Sequence, residues 1–97
     1  MTNQYLVTYQ NVKLETGQTM KLEYLLTEEI SGVTHNPLYG IKINKKFNGD
    51  CESEVTGAIS YKRDLVLQMI EDLSFHLVTP ISFFEIVDDM ITERECS

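Results

Sequence analysis

Apolar residues change their spacing once along this chain. Up to about residue 59 they recur at every second position, and after Ser60 at every third or fourth. Met20, Leu22, Tyr24 and Leu26 alternate with Lys21, Glu23, Leu25 and Thr27, which predicts a half-buried strand. Tyr39, Ile41 and Ile43 alternate in the same way with Gly40, Lys42 and Asn44. Thr16-Gly17 and Asn48-Gly49 interrupt these runs with turn chemistry, so two hairpins are expected. The stretch ISGVTHNPL between them is rich in turn formers and forms the long connection.

Two registers need a decision. In the first strand Tyr5, Val7 and Tyr9 share one phase while Val12 and Leu14 share the other, and a bulge near Gln10-Asn11 reconciles them. In the second hairpin a two-residue Asn48-Gly49 turn sets Ile43 opposite Glu54. A three-residue loop that includes Asp50 pairs Ile43 with Val55 and Tyr39 with Ile59, keeping the apolar sets together. A slip of one residue moves every side chain to the other face, so the longer loop is predicted.

Beyond Ser60, Val66, Met69, Ile70, Leu73 and Leu77 mark an amphipathic helix over about 61–76, with Ser60 as its cap and Asp64 in its first turn. Thr79 and Pro80 then suit the start of a second helix over about 80–94, because proline needs no backbone partner there. Phe83, Phe84, Val87, Met90 and Ile91 form its wide apolar stripe, with Ile86 at the margin. The expected fold is α+β: a single domain over 1–97, with a four-stranded antiparallel sheet over about 4–59 and both helices on one face. The other face would show Lys42, Asn44, Lys46, Glu52, Glu54 and Thr56.

Charge narrows the choice of partners. The net charge is −7. Residues 1–46 carry five Lys and four Glu, and residues 47–97 carry three basic and eleven acidic side chains. Only Lys42, Lys45 and Lys46 cluster, beside an acidic half, so nucleic-acid binding is not expected. No apolar run approaches the ~18 residues of a membrane helix, and MTNQYLVTYQ lacks the basic and apolar segments of a signal peptide. With Cys51 and Cys96 far apart and no CxxC, a reduced cytosolic protein without membrane association is expected.

The candidate chemistry is sparse. Glu85, Asp88 and Asp89 share a helix face and could offer oxygens to a hard cation, but no calcium-loop motif accompanies them, and a solvated acidic face is the simpler reading. His76 falls at the end of the first helix, where a cation suits the dipole, and His35 falls in the long loop. Cys51 stands between Asp50 and Glu52, a setting that blunts a nucleophile. Neither a Gly-rich phosphate loop nor HExxH, GxSxG or GxGxxG is present, so neither catalysis nor a cofactor is expected.

In the second helix Glu85 and Asp89, and again Asp89 and Glu93, place like charges at i, i+4, which costs roughly 0.2–0.5 kcal/mol per pair. Glu93 and Glu95 crowd the carboxyl end, which only Arg94 offsets. The apolar stripe must hold this helix, and it is wider than one line of contact against a sheet consumes. Phe83, Ile86 and Met90, with Glu85 and Asp89 beside them, are therefore the expected partner interface, for a basic protein or a second copy forming a homodimer. One alternative is a small-ligand site walled by Tyr5, Tyr9, Tyr24 and Tyr39; an enzyme of unknown class is another.

YGIKI at 39–43, the Ser60-capped helix and HLVTPISFFEIVDDMI at 76–91 together resemble a family of small uncharacterised proteins from anaerobic Gram-positive bacteria. The matching positions are Tyr39, Gly40, Ile41, Ile43, Val78, Thr79 and Pro80. This resemblance implies a small stand-alone protein of unknown function and brings no site residues with it.

Overall fold

Four strands in sequence order form an antiparallel meander: β1 (Thr2–Lys13), β2 (Thr19–Ile30), β3 (Pro37–Phe47) and β4 (Asp50–Ser60). Helices α1 (Arg63–Phe75) and α2 (Pro80–Cys96) follow and cover one face. The computed structural model describes residues 2–30, 32 and 35–96. The side chains of Glu93, Arg94, Glu95 and Cys96, on which the expected charge imbalance at the end of α2 rests, lie outside the described residues. The expected α+β architecture is what forms.

Alternation along β2 and β3 builds the core. Leu22, Tyr24, Leu26, Ile41 and Ile43 point to the helices and are fully buried against Val66, Met69, Ile70 and Leu73 of α1 and Phe83 and Val87 of α2. α1 lies across all four strands, while α2 sits over β3 and β4. One polar tie crosses the layers at depth: the Tyr24 hydroxyl donates to the Val78 carbonyl at 2.8 Å. Burial pushes this phenol up to about 12, so it stays neutral and keeps its proton for that bond.

Both register expectations need correction. The bulge in β1 falls at Val7, between the Leu6–Leu25 and Thr8–Tyr24 pairs, not at Gln10-Asn11. Gln10 faces the helices although it is polar, because its amide donates to Ser74 Oγ of α1 at 3.0 Å. In the second hairpin Asn48 (φ 56°) and Gly49 (φ 84°) are both left-handed, the signature of a two-residue type I′ turn. Ile43 therefore pairs with Glu54 and Tyr39 with Ser60, rather than with Val55 and Ile59. The register shifts twice further along, between Lys42–Val55 and Gly40–Ala58 and again before Tyr39–Ser60. At the first shift lie Thr56 and Gly57 (φ 76°), and the Thr56 hydroxyl accepts from the Ile41 N–H at 3.1 Å in place of the ladder. Because of the two-residue turn, Glu52 and Glu54 belong to the helix-side face, and Cys51, Ser53 and Val55 to the open face.

The helix starts also differ in detail. α1 begins at Arg63, with Lys62 at its N-cap, and Ser60 acts one step earlier by accepting from the Lys62 N–H at 3.0 Å. α2 begins at Pro80 as expected, and the Ser82 N–H bonds the Thr79 carbonyl at 3.2 Å.

Candidate functional site

The link between the helices is a Schellman turn. His76 caps α1, the Leu77 N–H donates to the Ser74 carbonyl, and the Val78 N–H donates to the Leu73 carbonyl, each at 3.1 Å. Val78 and Leu73 are both buried, which supplies the apolar contact this motif favours. Leu77, expected on the buried stripe of α1, instead occupies the left-handed position (φ 53°) usually given to glycine, and is 44% exposed. Leu77→Val should cost about 1–2 kcal/mol, because a β-branched residue tolerates this conformation poorly. Leu77→Gly should stay within about 0.5 kcal/mol, since relief of backbone strain offsets the lost contact. Urea titration of both variants reads the difference, and equal losses would mean that the side chain, not the backbone, governs the site.

Around this turn the surface is unusual. Phe75 (81%), Ile81 (87%) and Phe84 (47%) join Leu77 as exposed large apolar side chains within residues 75–84. The Phe75 ring stands at right angles to that of its neighbour His76, with centroids 5.2 Å apart. Glu85, Asp88 and Asp89 follow, all exposed on α2. Among the described side chains of α1 and α2, six carboxylates from Asp64 to Asp89 stand against one arginine, Arg63. The helical layer is therefore anionic and carries apolar knobs at its corner.

The residues expected at the interface divide. Phe83 is fully buried in the chain's own core and is not a surface residue, while Ile86 and Met90 are half-buried against that core. Glu85 and Asp89 are exposed. The anchors that do reach the surface, Ile81 and Phe84, lie on the neighbouring flank of the same helix. Ile81 stands three residues before Phe84 and seven before Asp88, a spacing that puts all three on one side of α2. That alignment was the available signal.

The four tyrosines do not converge. Tyr24 is core, and Tyr9 lies on the open face, with Lys21 Nζ 4.9 Å from its ring centre. Tyr5 and Tyr39 flank Glu28 on the helix side. Glu28 Oε1 accepts from Asn3 at 3.3 Å and from the Tyr5 hydroxyl at 3.5 Å. Partial burial, then the charge and hydrogen bond of Glu28, push the Tyr39 phenol up, against an opposing pull from Arg63. This cluster ties the start of β1 to β2 and β3.

The open sheet face is more apolar than expected. The registers line up Leu6, Leu25, Lys42 and Val55 in one row across all four strands. Leu6 is 55% and Val55 50% exposed. Beside this row Glu23 holds Lys46 at 3.2 Å and Lys21 at 3.7 Å. Partial burial raises the Glu23 carboxyl, but Lys46, Asn44 and Lys21 outweigh it and hold the group below its usual range.

Other features offer little chemistry. A crevice of about 280 Å³ is lined by Ile59, Lys62, Leu65, Met69 and Ile91 among others. Among the described residues no three His, Cys, Asp or Glu side chains are grouped to hold a metal. Cys51 is free and exposed. No described helix is long and apolar enough to cross a membrane.

Residues 3–93 match a family of unknown function (DUF6514), and the chain belongs to that family. No curated protein and no solved structure matches the chain.

Proposed function

We propose that this protein is a non-catalytic interaction module that docks the anionic layer of α1 and α2 onto a basic protein surface. The observation that carries this reading is the placement of Ile81 and Phe84, exposed beside Glu85, Asp88 and Asp89 in a layer whose described side chains include six carboxylates and one arginine, Arg63. Carboxylates arrayed this way steer encounter with a positive surface, and the apolar side chains hold the complex once water is expelled.

The test is a photo-crosslinking residue placed at Ile81 in the full chain, expressed in the source organism. Adducts to a protein with a basic surface are expected, and they should fade when lysates are crosslinked at rising salt, because exposed charges are screened. The same crosslinker at the hairpin tip, Asn48, should give none of them. Equal labelling from both positions, or none from Ile81, would overturn the reading.

A further inference from the structure

We infer that the basic surface this module fits is its own open sheet face, so that copies stack head to tail with the helices of one on the sheet of the next. This inference rests on the proposed role of the helical layer and names its occupant. Alternation along the paired strands puts Lys13, Lys21, Lys42 and Lys46 on the open face against Glu23 and Glu29, an excess of cations. The opposite side of the same molecule is the helical layer, whose described side chains include six carboxylates, from Asp64 to Asp89, against one arginine, Arg63. The two broad faces thus carry opposite signs.

Their apolar parts also match in kind. The open face has the transverse row of Leu6, Leu25 and Val55, interrupted by Lys42, and the helical layer has Ile81 and Phe84 beside Asp88. Size is sufficient too. The molecule is a plate of 49 × 32 × 18 Å, and covering about half of a broad face removes roughly 800 Å² per copy, the amount typical of a specific interface. A two-fold dimer through the helices would set carboxylates against carboxylates, and one through the sheets would set lysines against lysines. Only the helix-on-sheet arrangement pairs unlike charges. Such a contact is heterologous, so it extends into a stack unless its rotation closes a ring.

Sedimentation velocity on the full chain and two surface variants tests this. Wild type should sediment as a concentration-dependent series beyond the monomer in the high-micromolar range. Ile81→Arg with Asp88→Arg disables the helical face at two exposed positions, and Leu6→Glu with Lys42→Glu disables the sheet face. Each variant alone should be monomeric, with an unchanged circular dichroism spectrum. Mixed in equal amounts, they should form a one-to-one complex and go no further, because each retains the face the other lacks.

Continued self-association of either variant alone would indicate a two-fold interface and overturn the inference. A mixture that stays monomeric would do the same. A strictly monomeric wild type would remove self-docking yet leave the crosslinking result at Ile81 to decide the helical face independently.

Discussion

Phe83→Ala is expected to lower the free energy of unfolding by about 3–5 kcal/mol, while Ile81→Ala, two positions away, should change it by less than ~0.5 kcal/mol. Both residues are large and apolar in the first turns of α2, and sequence alone ranks the phenylalanine as the contact residue. Their surroundings differ entirely. Phe83 has no exposed surface and packs into the cluster of Leu22, Ile41, Met69 and Val87, whereas Ile81 is 87% exposed. Truncating Phe83 removes the transfer free energy of the ring and leaves a void, because α2 is fixed at its start by Pro80 and by the buried Val78 behind it. Ile81 loses no burial because it had little. Urea titration of the two variants, with slopes unchanged from wild type, measures both values. A loss below ~1 kcal/mol at Phe83 would mean that α2 is held by something other than its buried stripe, and the helical layer would lose its stated geometry.

This contrast also shows where periodicity stops being informative. Spacing placed Phe83, Phe84, Val87, Met90 and Ile91 on one broad stripe, and the stripe is real, but its width hid a division. Phe83 and Val87 are buried, Ile86, Met90 and Ile91 are partly covered, and Phe84 emerges at 47%. Sequence reports which residues share a side of a helix. How deep that helix sinks depends on where α1 has already taken up sheet surface, and α1 lies across all four strands.

The strands show the same limit. Alternation located β2 and β3, their turns and their buried faces correctly, because there each apolar residue has only water as the alternative. It failed where a local bond compensated a misplaced residue. Gln10 can face the helices because Ser74 meets it, and Val55 can face solvent because two left-handed residues complete the Asn48-Gly49 turn. The three-residue loop kept Val55 and Ile59 in phase by treating β4 as one uninterrupted strand. The chain instead uses the tighter turn and begins to shift its register only later, at Thr56 and Gly57. Neither is an apolar position, so neither shows in a hydrophobic pattern. The same displacement hid the place of Val55 in the exposed row with Leu6 and Leu25.

Gly40→Ala should be among the most damaging single-methyl additions to this chain, at about 3 kcal/mol or more, the upper end of overpacking costs. A Cβ on Gly40 would fall on the Gly57 carbonyl oxygen and stand 2.8 Å from Thr27 Oγ1. The first neighbour is backbone and cannot rotate away. It is fixed because the Thr56 hydroxyl, while accepting from Ile41, lies 2.8 Å from that same carbonyl and donates to it. Thr27 is itself 7% exposed, so the second neighbour has little room to yield. Gly57→Ala provides the control. Its φ of 76° strains any side chain, but no atom lies within 4 Å of the added carbon, so a loss of only about 1–2 kcal/mol is expected. If Gly40→Ala proved as mild as Gly57→Ala, the close approach of β4 to β3 would be wrong. With it would go the register shift that delivers Ile59 and Ser60 to the start of α1.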